Sequence, residues 1–143
     1  MRQEQTEILQ NLISIYRVLI YEMEDIVMNE ASINLNTLTD ELRHSTQFIF
    51  GDKLRKIILY GSYARGDFTS DSDLDIMVLA DFDENEKTIL EKQVCKIASD
   101  ASLDHDVTIC MLLNNEDLFR SRLPISPFYR NVVSEGVEIY AAH

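Results

Sequence analysis

Leu59-Tyr60-Gly61-Ser62-Tyr63-Ala64-Arg65-Gly66-Asp67-Phe68-Thr69-Ser70-Asp71-Ser72-Asp73-Leu74-Asp75-Ile76 is the stretch on which the fold turns. It begins inside a short apolar run, Ile57-Ile58-Leu59-Tyr60, which has the length and composition of a buried strand. The run stops at Gly61, and a short turn or helix opens at Ser62. A glycine at that point removes the Cβ, so a ligand can approach the backbone closely. The backbone N–H groups and the Ser62 hydroxyl then face whatever lies beyond the strand end, which suits a phosphate. Arg65 can pair with phosphate, or with a nearby carboxylate such as Asp67 or Asp71. Asp73 and Asp75 stand two apart at the start of a second apolar run, Asp75-Ile76-Met77-Val78-Leu79, so their side chains share one face of a strand. Two carboxylates so close repel each other unless a cation lies between them. Hard divalent ions take such oxygen ligands, and magnesium commonly combines one or two carboxylates with substrate phosphates. Alone, Gly-Ser after a strand reads as an ordinary turn and Asp-x-Asp as solvated surface; their succession is what carries information.

Downstream, Glu84 to about Ala101 has Ile89, Leu90, Val94 and Ile97 on one side and reads as a helix. His105 to Leu113 places Val107, Ile109, Met111 and Leu113 at period two and reads as a third strand. Asp106 opens that strand, with Asp104 on the same outer face. If this strand lies beside residues 73–79, Asp106 faces the Asp73–Asp75 pair. Three carboxylates around two metal ions clamp the attacking and leaving oxygens of a phosphoryl transfer, and the one nearest the acceptor can take its proton. A solvated aspartate at a strand start is the competing reading. A short helix over Glu116 to Arg122 follows, then a region interrupted by Pro124 and Pro127. Phe128 to Ser134 is helical, Gly136 ends it, and Val137 to Tyr140 is a last strand. The sum is an α/β (α+β) fold with a small central sheet.

Upstream, no glycine precedes Gly51 and no proline precedes Pro124, so the first third reads as helical. Over residues 4–29, Ile8, Leu12, Ile15, Leu19, Met23 and Ile26 form an apolar seam at spacings of three and four. Ile13, Tyr16, Ile20 and Val27 widen it, so the helix is expected to be covered on more than one side, by core packing or by a homodimer or partner surface. Asn34 to Asn36 read as a break. Thr37 with Asp40 resembles a capping box, and a second helix runs to about Phe50 before Gly51-Asp52. The expected organisation is an N-terminal helical extension, residues 1–35, and one domain, residues 36–143.

Composition bounds the possibilities. The chain has 143 residues, 13 Lys and Arg against 25 Asp and Glu, and a formal charge of −12. Hydrophobic residues at 45% and charged residues at 27% describe a globular protein of about one domain. So acidic a surface repels a phosphate backbone, which argues against direct nucleic-acid binding. It leaves room for a nucleotide site, because a metal ion inverts the local charge. Cys95 and Cys110 lie in apolar-rich segments and are expected to be buried thiols in a reducing cytosol. No signal-type or membrane-spanning run is evident, so a soluble cytoplasmic protein is expected.

Gly61-Ser62, ten intervening residues and Asp73-Leu74-Asp75 together resemble the signature of the polymerase-β-like nucleotidyltransferases. The fuller string Gly-Ser-Tyr-Ala-Arg-Gly, followed by Ser-Asp-Leu-Asp, resembles the bacterial minimal nucleotidyltransferase (MNT) group. The likeness runs from about Gly51 to Tyr140 and leaves residues 1–35 outside it. It implies a small mixed sheet flanked by helices, and transfer of AMP from ATP to an acceptor hydroxyl with pyrophosphate leaving. It implies that Gly61 and Ser62 hold the triphosphate, with Arg65 supporting that loop, and that Asp73 and Asp75 hold two Mg2+ ions. It also implies that Asp106 completes the metal site and activates the acceptor. Stand-alone members of the group resemble antitoxins that modify tyrosines of a helical HEPN-domain ribonuclease toxin. An acidic chain suits such a basic, RNA-cutting partner. Two other functions fit the same fold. One is a small-molecule, antibiotic-type nucleotidyltransferase with its acceptor pocket formed in a homodimer. The other is a binding module that has lost turnover.

Overall fold

The computed structural model describes the backbone of residues 1–143 and the side chains of all but Arg2 and residues 25–34. Its elements are α1 (Arg2–Phe50), a 3-10 turn (Gly51–Lys53), β1 (Leu54–Tyr60), α2 (Ser62–Arg65), β2 (Leu74–Ala80), α3 (Glu84–His105), β3 (Ile109–Asn115), α4 (Glu116–Arg122), α5 (Pro127–Glu135) and β4 (Val137–Ala141). By Cα packing the chain divides into two compact units, Met1–Thr37 and Leu38–His143.

In the second unit the four strands form one mixed sheet in the order β3-β2-β1-β4. β1 runs antiparallel to both β2 and β4, while β2 and β3 are parallel and need the crossover that α3 supplies. Both faces of the sheet are apolar, which is why β1 and β2 read as nearly continuous hydrophobic runs. Ile57, Leu59, Leu74, Ile76, Val78 and Ile109 are buried on one face. On the other, Ile58, Met77 and Leu79 pack with Phe119 of α4 and Val132 of α5. Leu38, Leu42, Thr46 and Phe50 of α1 and Val94, Ala98 and Ala101 of α3 are buried too. Thr46 meets its polar obligation by donating its hydroxyl to the Leu42 carbonyl at 2.7 Å. α3 starts with a reciprocal capping box: Asp83 accepts from the Glu86 backbone N–H and Glu86 accepts from that of Asp83.

Three local expectations are corrected. α1 is one continuous helix, with no break at Asn34–Asn36, because asparagine lowers helix propensity only by tenths of a kcal/mol and no Gly or Pro interrupts the run. α3 runs on to His105, so β3 starts at Ile109 and not at His105. Asp106 ends that helix with φ 51°, a left-handed turn that aspartate tolerates better than most side chains. Both cysteines are exposed rather than buried.

In the first unit core packing does not cover the apolar seam among the described residues. Ile8, Leu12, Ile15, Leu19 and Met23 are exposed, as are Ile13, Tyr16 and Ile20, with Ile8 at 59%. Ile26 and Val27 of that seam lie outside the described side chains. Among the described residues no helix is long and apolar enough to cross a membrane.

Candidate active site

β1 delivers the chain to Gly61, which has φ 73° and ψ −154°, a conformation close to glycine-only. Space demands glycine as well. A Cβ at this position would stand 2.6 Å from Oδ2 of Asp75. The room left by the missing side chain is thus occupied in part by the carboxylate of the neighbouring strand. Ser62 opens α2, whose single turn closes through Arg65 N–H to the Gly61 carbonyl (3.1 Å) and Gly66 N–H to the Ser62 carbonyl (2.9 Å).

Register fixes what surrounds Asp75. Tyr60 pairs with it from β1 and Cys110 from β3. Because side chains alternate along strands, Tyr60, Asp75 and Cys110 share the face that carries Ile58, Met77 and Leu79 deeper in. Partial burial raises the Asp75 pKa above the usual carboxylate value, the charge of Asp73 raises it further, and Arg65 opposes both. The two aspartates are therefore close enough to repel. Burial, followed by the charge of Asp75, lifts the Tyr60 hydroxyl well above its ordinary pKa. Although Cys110 is exposed as a residue, partial burial of its thiol, followed by the charges of Asp75 and Asp73, raises the thiol pKa.

The loop between α2 and β2 is internally braced. Tyr63 and Phe68 stack with ring centroids 4.3 Å apart. Thr69 donates its N–H to the Ser72 hydroxyl at 2.8 Å, and Ser72 N–H returns to the Thr69 carbonyl at 3.1 Å. Leu74 N–H then donates to the Thr108 carbonyl at 2.8 Å, fixing the start of β2 just after Asp73. Arg65 is spent on carboxylates, Asp67 at 3.3 Å and Glu135 of α5 at 3.4 Å. Beside Gly61 a cavity of about 220 Å3 opens, walled by Tyr60, Arg65, Phe128, Asn131 and Glu135.

Residues 39–137 match the family model described as nucleotidyltransferase domain. The chain belongs to the nucleotidyltransferase domain family. Two relatives from Methanocaldococcus jannaschii are named, by inference, protein adenylyltransferases. One is 38% identical over 88 residues, 62% of this chain and 80% of the relative. The other is 36% identical over 100 residues, 69% and 92%. Among solved structures, a toxin–antitoxin complex with AMP-PNP has TM-score 0.49 and 22% identity, covering 73% of this chain and 74% of that one. A tri-AMPylated HEPN toxin of Shewanella oneidensis in complex with MNT antitoxin has TM-score 0.44 and 21% identity, covering 78% and 72%.

In this nucleotidyltransferase the expected site residues divide. Asp75 packs against Gly61, next to Ser62, and feels the charge of Asp73, while Arg65 pairs with Asp67 and Glu135. Asp106 lies on a different element. It is exposed at the end of α3, before β3 begins, and the charges acting on Asp75 come from Asp73 and Arg65. Among the described residues no three His, Cys, Asp or Glu side chains are arranged to hold a metal ion. Asp73 and Asp75 are the carboxylate pair at this strand end, and Cys110 of β3 is the register partner of Asp75. The last turn of α3 places Asp106 at the helix end and not within β3. Tyr60, Cys110 and the α5 residues of the cavity were missed by the sequence reading. Only the strand register, set by long-range packing, brings Cys110 to Asp75, whereas Tyr60 stands next to Gly61 in plain view.

Proposed function

We propose that this nucleotidyltransferase moves AMP from ATP to a protein hydroxyl, a tyrosine of a HEPN-domain ribonuclease toxin, and so serves as a cytoplasmic antitoxin. The observation that carries the reading is the Asp73–Asp75 pair set against the Gly61-Ser62 turn. The protein acceptor is supported by the names of the Methanocaldococcus relatives. The toxin partner is supported by the resemblance to the MNT group and by the charge of −12, which favours a basic partner.

The donor set fits magnesium: two oxygen acids in mutual repulsion, open to solvent on one side, with substrate phosphates to complete the shell. Asp73 and Asp75 would hold it, and when bound it would offset the charge of the triphosphate and of the departing pyrophosphate. Gly61 and Ser62 would position the triphosphate at the strand end. The reaction forms a bond from the acceptor oxygen to the α-phosphorus, breaks the bond from that phosphorus to the bridging oxygen, and sends the electron pair out with pyrophosphate. The acceptor gives up a proton. That proton passes to the departing pyrophosphate or to solvent, so an acceptor with an acidic hydroxyl suits the site. A phenol, with pKa near 10, asks less of a base than an aliphatic alcohol does.

The test is incubation of the purified chain with ATP, Mg2+ and a co-expressed candidate toxin, read by mass spectrometry. The expected result is AMP on toxin tyrosines, abolished by EDTA. AMP found only on a small molecule such as an aminoglycoside would favour the antibiotic-type enzyme, and AMP on nothing would favour the inert module.

A further inference from the structure

We propose that the cavity beside Gly61 seats the nucleobase, that Phe128 of α5 stacks on it, and that Asn131 of α5 selects adenine. The inference rests on the reading of this chain as a transferase that uses a nucleoside triphosphate, and it deepens that reading. α5 has two sides. Tyr129 and Val132 turn inward: Val132 joins the buried cluster under the sheet, and the Tyr129 hydroxyl donates to Oδ1 of Asn114 at 3.1 Å. Phe128, Asn131 and Glu135, at helical spacings of three and four, line the cavity, and Val132 reaches it as well.

Phe128 keeps 44% of its surface in solvent although it abuts Tyr60, edge to face with centroids 5.7 Å apart. An exposed ring beside a phosphate-binding turn offers a face for a base to stack on. The Asn131 side-chain amide enters no hydrogen bond among the described residues; only its backbone carbonyl is used, by the Ser134 hydroxyl at 3.3 Å. A free amide presents a donor and an acceptor together, the pairing that reads the N6 and N7 edge of adenine. Guanine, with a carbonyl at the corresponding position, mismatches it.

The alternative occupant of the cavity, the polyphosphate tail, suits it poorly. Its one cation, Arg65, is already divided between Asp67 and Glu135, and Glu135 adds a negative charge to the wall. The volume of about 220 Å3 has room for one flat heterocycle.

Competition binding on the full chain, with Mg2+ and with ATP, GTP and inorganic tripolyphosphate as probes, tests this. Wild type is expected to prefer ATP over GTP. Asn131→Ala should lower that preference about tenfold, the scale of one lost two-point base contact. Phe128→Ala, and Phe128→Leu as the variant that keeps bulk without a ring, should weaken ATP and GTP alike and leave tripolyphosphate unchanged. An unchanged ATP-to-GTP ratio in Asn131→Ala, or tripolyphosphate weakened as much as ATP, would overturn the base assignment while leaving the transferase reading standing. A wild-type chain that binds neither ATP nor tripolyphosphate would overturn both.

Discussion

Gly61 and Asp75 are in such close contact that one added carbon on Gly61 would meet Oδ2 of Asp75 at 2.6 Å. The glycine of one strand end and the acid of the next thus form a single feature. Replacing Gly61 by alanine imposes two costs at once: a backbone conformation that side chains resist, of order 1–3 kcal/mol, and displacement of the carboxylate. We expect Gly61→Ala to melt several degrees lower and to lose AMP transfer. Calorimetry and the transfer assay check this, and a variant with wild-type melting and activity would mean that Asp75 is not held where the turn puts it.

Asp73→Asn and Asp75→Asn are each expected to abolish transfer without loss of fold. Both substitutions keep shape, remove a negative oxygen donor and relieve the repulsion between the pair. The measurement is turnover at saturating Mg2+, with melting temperature as the control for fold. Near-normal turnover in either variant would remove that residue from the metal site.

Asp106 separates geometry from motif. Its φ of 51° marks it as a helix terminator. Asp106→Asn, which tolerates the same backbone, should leave transfer within about twofold. Asp106→Val, which does not, should lose about 1–2 kcal/mol of stability. Urea melts and turnover on the same preparations tell the two apart. A drop in turnover of tenfold or more in Asp106→Asn, with unchanged stability, would place Asp106 in the site, as the family resemblance implies.

Much of this arrangement is legible in the amino-acid sequence because it is local. The apolar run ending at Gly61, the turn at Ser62 and the period-two acids at Asp73 and Asp75 lie within one stretch of chain, and their elements follow from pattern and sterics alone. What escapes is whatever depends on distant packing. The parallel register that sets Cys110 against Asp75 is fixed through the crossover of α3, across some thirty residues. The last turn of α3 has no breaker in it, and the strand-like alternation of Val107, Ile109 and Met111 masks where the helix stops. The end is marked by an aspartate in a left-handed turn, a weaker signal than the glycine that usually serves. In α1, Asn34 and Asn36 look like punctuation, yet a helix absorbs them.

Gly136 connects α5 to β4 and offers a prediction about stability that reaches the cavity. Its backbone is ordinary, φ −69°, so no conformational demand calls for glycine there. The demand is steric: a Cβ would come 2.2 Å from the Val132 carbonyl oxygen and 2.6 Å from Cγ2 of Ile58, which belongs to the buried cluster under the sheet. The Val132 oxygen cannot yield easily, since it accepts the Gly136 N–H at 3.0 Å and ends the helix. Gly136→Ala must therefore push α5 off the sheet, at a cost of about 1–3 kcal/mol for overpacking. Because α5 carries Phe128 and Asn131, the same shift should raise the KM for ATP more than it lowers kcat. Urea melts and steady-state kinetics check the two effects together. A variant of wild-type stability would show that α5 packs more loosely on β1 than these distances require, and a destabilised variant with unchanged KM would show that the cavity wall moves independently of the helix end.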